Sequence, residues 1–112
     1  MTVSFIFLVY HGIIIMLKIY VKNRIGSGTN DSRKLRLKNK LPAIIYGNGQ
    51  DNIKIELNHD NIFSIHSQSI FYKNNLIIIV NDMEHHVKVQ MIHHHVFKPK
   101  LLHVDFIRVP VK

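Results

Sequence analysis

The chain has 112 residues and no cysteine, with 46% hydrophobic and 20% charged residues. It is long enough for one packed domain, too apolar to be disordered, and it excludes disulfide scaffolds and thiolate metal sites. The formal net charge is +8, which on so small a domain points to a polyanionic partner, either nucleic acid or an anionic membrane surface.

Residues 1–15 carry no Lys, Arg, Asp or Glu. The apolar run, which continues through Leu17, is shorter than the ~20 residues a helix needs to cross a bilayer. It lacks the basic start and small-residue cleavage site of a signal peptide. His11-Gly12 interrupts it, and its β-branched residues disfavour a helix in water. Three readings stand: an extension outside the domain, with Met16 as the natural start; a membrane-associated segment; or a packed element. The first is preferred, which divides the chain into residues 1–15 and a domain of residues 16–112.

From Leu17 to Val21 apolar and polar residues alternate, with Lys18, Tyr20 and Lys22 on the wet side, as in a half-buried strand. Gly26-Ser27-Gly28-Thr29-Asn30 then reads as a loop. Between Lys18 and Lys40 the basic residues are Lys18, Lys22, Arg24, Arg33, Lys34, Arg36, Lys38 and Lys40, against the single acid Asp31. The rest of the chain is close to neutral, so a polyanion is expected to dock on this segment. Asp31 or Ser32 can cap a short helix from Arg33 to about Asn39, ended by Pro42. Arg33 and Arg36 would share a face, and Leu35 and Leu37 would turn to the core.

A strand over Ala43–Tyr46 ends in the turn Gly47-Asn48-Gly49. The next strand, 52–58, places Ile53, Ile55 and Leu57 inward and Lys54 and Glu56 outward. Asp60 is a candidate cap for a helix to about Ser67. Leu76–Val80 reads as a buried strand, and Asn81-Asp82 as a hairpin turn. The returning strand, 84–92, would put Val87, Val89 and Met91 on one face. The last strand would set Leu102, Val104 and Phe106 against His103 and Asp105. These elements predict a mainly β fold with short helices, namely a small closed antiparallel barrel.

Three motifs resemble the ribosomal protein L-twenty-five family, the 5S rRNA-binding proteins of the bacterial large subunit. They are Ser32-Arg33-Lys34-Leu35-Arg36 running into Pro42-Ala43-Ile44-Ile45-Tyr46-Gly47; Glu56-Leu57 with His59-Asp60; and Lys98-Pro99-Lys100-Leu101 leading to His103-Val104-Asp105-Phe106. The resemblance spans Met16–Val109, the short single-domain form. It implies a six-stranded barrel and a cytoplasmic protein, monomeric within the ribosome, whose partners are 5S rRNA and large-subunit proteins. It implies no small-molecule substrate and no cofactor of its own, the magnesium being bound by the RNA. The family's RNA-contacting residues correspond by position to Arg24, Ser32, Arg33, Lys34, Arg36, Tyr46, Gln90, His103 and Asp105. The sequence departs from the family at the Gly26–Asn30 loop, which usually carries more basic residues, and at His93-His94-His95. Residues 1–15 match nothing in the family.

The chemistry of these side chains suits RNA. Arginine forks bind phosphate, while Tyr46, Gln90 and His103 can donate or accept at 2′-hydroxyls and base edges. Asp105 is an anion facing an anion. It is accounted for if it accepts from a guanine amino group, contacts a bound magnesium ion or orients His103; the plainer reading is a surface His–Asp pair. For Tyr46 the plainer reading is a core aromatic. The histidines suggest a metal, since His93 and His95 would share a strand face and His85 and His86 lie near the adjoining turn. A structural zinc site, however, usually needs four ligands in tetrahedral array, so none is expected. No enzyme is expected either: there is no Gly-x-Ser-x-Gly elbow and no HExxH, and a triad of Ser64, His103 and Asp105 has no spacing to support it. The alternative to an RNA-binding ribosomal protein is a small basic protein anchored to a membrane by its apolar N-terminus.

Overall fold

A computed structural model describes residues 5–11, 14–23, 33–34, 36–73 and 75–110, with side chains from residue 17 onward. In chain order the elements are β1 (Phe5–His11), β2 (Ile14–Asn23), β3 (Lys40–Tyr46), β4 (Ile53–Asn58), α1 (His59–Ile65), α2 (Ser69–Tyr72), β5 (Leu76–Val80), β6 (Met83–His94) and β7 (Leu101–Arg108). Arg33, Lys34, Arg36 and Leu37 are helical. The proposed caps Asp31 and Ser32, the residue Leu35 and the Gly26–Asn30 loop lie outside the described residues.

The strands run in the order β2-β4-β3-β7-β6-β5, and β5 pairs back to β2, which closes a six-stranded barrel. Closure leaves these six strands without an unpaired edge. Four of the junctions are antiparallel, whereas β3–β7 and β2–β5 are parallel. The barrel is therefore mixed, not wholly antiparallel. The reason is topological: both parallel junctions join strands far apart in sequence, where no tight turn dictates orientation. β1 lies antiparallel on β2, from Phe5 opposite Tyr20 to His11 opposite Ile14.

Period-two burial fills the interior. Leu17 and Ile19 of β2, Leu41, Ala43 and Ile45 of β3, Ile55 and Leu57 of β4, and Val104 and Phe106 of β7 are all buried. All of β5 is buried, as its unbroken apolar run requires. Phe71 of α2 plugs the barrel, edge-on to Phe106 with ring centroids 6.3 Å apart. Its helix was not anticipated from the sequence. Four residues are too few to display a helical period, so only the burial of Phe71 marks it.

Local chemistry sets the ends of the elements. Asn81 and Asp82 both have positive φ, at 51° and 64°, as the primed hairpin turn between β5 and β6 demands. α1 is capped by Asn58, whose side chain accepts from the Asn61 N–H at 3.0 Å. Asp60, the expected cap, sits instead in the first turn, where its charge suits the helix N-terminus. Leu37, expected to turn to the core, is instead 78% exposed, on the solvent side of its short helical run.

Two irregularities change the phase of the β6–β7 hairpin. Gln90 has no partner in the ladder: Val89 faces Phe106 and Met91 already faces Asp105. Leu102 is likewise skipped between the pairs His93–His103 and His94–Leu101. Each extra residue is a β-bulge, and each reverses the side-chain alternation beyond it. Val87 therefore points inward as expected, but Met91 turns out and is 52% exposed while Ile92 packs against the core. At β7 it is Leu101, not Leu102, that is fully buried.

Candidate nucleic-acid interface

Because Val104 and Phe106 point inward, His103 and Asp105 project from the outer face of β7, each half-buried. Their side chains meet, with His103 Nδ1 lying 2.8 Å from Asp105 Oδ1. At that length Nδ1–H donates to the carboxylate, which holds the ring in one orientation. Of the readings open for Asp105, the orientation of His103 is the one with direct geometric support. The Gln90 bulge opens beside them, between the ladder partners of Phe106 and Asp105, and Gln90 is exposed. Opposite His103, His93 of β6 presents its ring edge-on at 5.8 Å.

Tyr46 is on the same outer surface, two residues along β3 from Ile44, the partner of Asp105. It is half-buried and absent from the core cluster, so the core-aromatic reading does not hold. It pairs with Ile107, which places it roughly 13 Å along β7 from His103 at the usual rise per residue. Tyr46 thus extends the surface without joining the His103 cluster.

The basic segment is held near the start of β7. Arg33 and Lys34 are exposed and Arg36 is half-buried. Asn39, with φ 61°, ends their helical run by donating its N–H to the Arg36 carbonyl at 3.2 Å. The Asn39 carbonyl accepts from the His59 N–H at 3.1 Å, and the Asn39 side chain donates to Asp60 at 3.2 Å. His59, almost fully buried, accepts the Leu101 N–H on Nε2 at 2.9 Å. His59 therefore joins the end of the basic segment to the first residue of the strand that carries His103 and Asp105. Arg24 and Ser32 lie outside the described residues.

Three residues take places that their local sequence did not indicate. His59 entered only as part of a motif and His93 only as a candidate metal ligand beside His95, neither with the contact it makes. Arg108 reads as one more surface cation but is only 8% exposed. Its guanidinium closes the end of the barrel that carries the β3–β4 turn, donating to the carbonyls of Gly47 at 2.8 Å and Asp51 at 2.6 Å. Burial first, and then the nearby Arg108 charge, hold the His85 imidazole below its ordinary pKa.

Among the described residues, no helix is long and apolar enough to cross a membrane. Strand closure and surface together define a small mixed β-barrel with a cationic segment tied to a polar strand face. The model of the Ribosomal L25p family matches residues 19–106. The chain is also 45% identical over 93 residues to the large ribosomal subunit protein bL25 of Erwinia tasmaniensis, covering 83% of this chain and 99% of that one. Its identity to the protein of the same name from Buchnera aphidicola is 44% over 94 residues, 84% of this chain and 99% of the relative. For that of Yersinia enterocolitica it is 46% over 96 residues, 85% and 99%. The chain belongs to the Ribosomal L25p family, a family of ribosomal proteins and not of enzymes.

Proposed function

We propose that this protein is a structural constituent of the large ribosomal subunit, acting in the cytoplasm with the ribosome, and that it binds 5S rRNA. Its relatives carry the name of a large-subunit protein, and the resemblance at the three motifs extends to the RNA-contacting positions. In this reading residues 16–112 are the RNA-binding domain and residues 1–15 are an addition to it. The protein acts as a monomer among large-subunit proteins, uses no small-molecule substrate, and meets magnesium only as an ion bound by the RNA.

The observation that carries the reading is the connection between two kinds of chemistry. Exposed Arg33 and Lys34, with Arg36 behind them, are cations suited to phosphates. Through Asn39 and His59 they are held beside the strand that displays His103 and Asp105. Phosphate contacts position a protein on RNA, and directional donors and acceptors read the wide minor groove. His103, oriented by Asp105, presents its imidazole to 2′-hydroxyls and base edges. Gln90 on its bulge offers both a donor and an acceptor. Tyr46 contributes its hydroxyl further along the surface, and Arg24 and Ser32 belong to the same proposed set.

The test is a titration of the full chain against 5S rRNA and against an unrelated structured RNA of equal length, with Asp105→Asn and His103→Ala run in parallel. The reading expects a clear preference for 5S rRNA that each substitution reduces, by about 1–3 kcal/mol where a buried polar contact is lost. Equal affinity for both RNAs would overturn it.

A further inference from the structure

We propose that His93, His103 and Asp105 bind one divalent transition-metal ion of the zinc class on the outer face of β6 and β7. The ladder sets His93 directly opposite His103, and Asp105 follows two residues later on the same face of β7. One ring nitrogen from each histidine and one carboxylate oxygen all lie within 4.8 Å of one another. Asp105 already approaches both rings, with Oδ1 at 2.8 Å from His103 Nδ1 and Oδ2 at 3.7 Å from His93 Nε2; for Nδ1 to ligate, the His103 ring proton moves to Nε2. This arrangement depends on the bulge at Gln90, which places His93 outward, on the same face as His103.

Bond lengths of about 2.0–2.1 Å from zinc to nitrogen and oxygen place tetrahedral ligand atoms some 3.3 Å apart. Side-chain rotations that close the widest separation by at most about 1.5 Å and open the short His103–Asp105 contact by about 0.5 Å suffice to reach that spacing. The His93 side chain, 47% exposed, has the room to make that rotation. Two imidazoles and one carboxylate favour zinc, cobalt or nickel over magnesium and calcium, which take oxygen ligands. Three protein ligands leave at least one coordination position for water or an external oxygen. The other described histidines offer less. His59 is engaged at both ring nitrogens, and His95 Nδ1 accepts the N–H groups of Phe97 and Lys98. His66 and His94 pair at 5.5 Å, but this is the only group of three possible ligands among the described residues. The site shares His103 and Asp105 with the proposed RNA surface yet does not rest on that reading.

The test uses the full chain without RNA, so either reading can fail alone. Cobalt(II) is titrated into metal-free protein at about pH 7.5, where imidazole is mostly neutral, and followed by its visible absorption; zinc is then added to displace it. The variants are His93→Gln and Asp105→Asn, with His86→Gln and His95→Gln as controls for scattered surface histidines. Thermal unfolding in metal-free buffer checks that each variant is folded. The proposal expects one saturable site from which zinc displaces cobalt, weakened at least about tenfold in His93→Gln and Asp105→Asn and unchanged in the controls. Cobalt binding that is equal in all four variants, or that does not saturate, would overturn it.

Discussion

His59 and Leu101 are joined across 42 positions of sequence by a buried hydrogen bond, the Leu101 N–H donating to His59 Nε2 at 2.9 Å. Because Nε2 accepts, the ring proton resides on Nδ1, where Asp60 Oδ1 lies at 3.2 Å. His59 in this way fixes the start of β7 through its ring and the end of the basic segment through its backbone N–H. Replacing His59 with Leu leaves the Leu101 N–H buried without a partner, at a cost of about 1–3 kcal/mol. Urea unfolding of His59→Leu is expected to show a lower midpoint with little change in slope.

At the opposite end of the barrel, Arg108 and Gly47 form a second such join. The Arg108 guanidinium holds the Gly47 carbonyl, and Gly47 adopts φ +100°, where a Cβ would come within 3.1 Å of Ile107 Cγ1. Gly47→Ala is therefore expected to destabilise the fold by about 1–2 kcal/mol through backbone strain. Arg108→Met removes the donors to three turn carbonyls, those of Gly47, Gln50 and Asp51, and should cost at least as much, about 1–3 kcal/mol. Thermal unfolding of the two variants and of the double variant measures both effects; because the residues touch, the losses should not add.

His85 makes stability depend on pH. Its pKa is lowered in the folded protein, first by burial and then by Arg108, so the unfolded chain binds more protons. A depressed histidine contributes stability that is present above its unfolded pKa, near 6.5. That stability is lost as pH falls through the lower folded value. Denaturant titrations from about pH 7.5 to 5 should show stability declining. The decline should be shallower in His85→Gln, which cannot gain the proton. An identical profile in the variant would assign the effect to other groups.

The Gln90 bulge sets which residues face outward on the far half of β6. Deleting Gln90 removes the extra residue, so Val89 and Met91 become neighbours that still face Phe106 and Asp105, and Met91, Ile92 and His93 keep their present faces. The Gln90 deletion is therefore expected to keep cooperative unfolding and most of its stability. Deleting Lys88 instead turns Val89 outward, away from the core it packs against, and should cost far more. Circular dichroism during thermal unfolding distinguishes the two.

Much of the barrel was legible in the sequence because period-two burial is a local property. Ile53, Ile55 and Leu57 point inward as their spacing requires, and Asn81-Asp82 turns as its residue types require. Features that depend on distant partners were not legible. Nothing in Val89-Gln90-Met91 marks the skipped residue, since a bulge is defined by what the neighbouring strand does. The parallel junction between Ala43 and Val104 is likewise invisible to local pattern. His59 and Arg108 look like surface residues until the strand end and the turn they bind are in place. At the candidate surface, residue types indicated the His103–Asp105 contact, and the geometry has it. The approach of His93 to the same carboxylate arises only from the hairpin register.

The central claim is that the basic segment holds RNA phosphates, and salt dependence measures it most directly. Affinity of the full chain for 5S rRNA would be followed from low to moderate salt, alongside an Arg33→Ala/Arg36→Ala variant. The account predicts steep weakening with salt for the parent chain and, for the variant, a log–log slope smaller by up to about 1 for each lost phosphate contact. A variant that binds with the same affinity and the same slope would contradict it, and would place the RNA, if bound at all, elsewhere on the barrel.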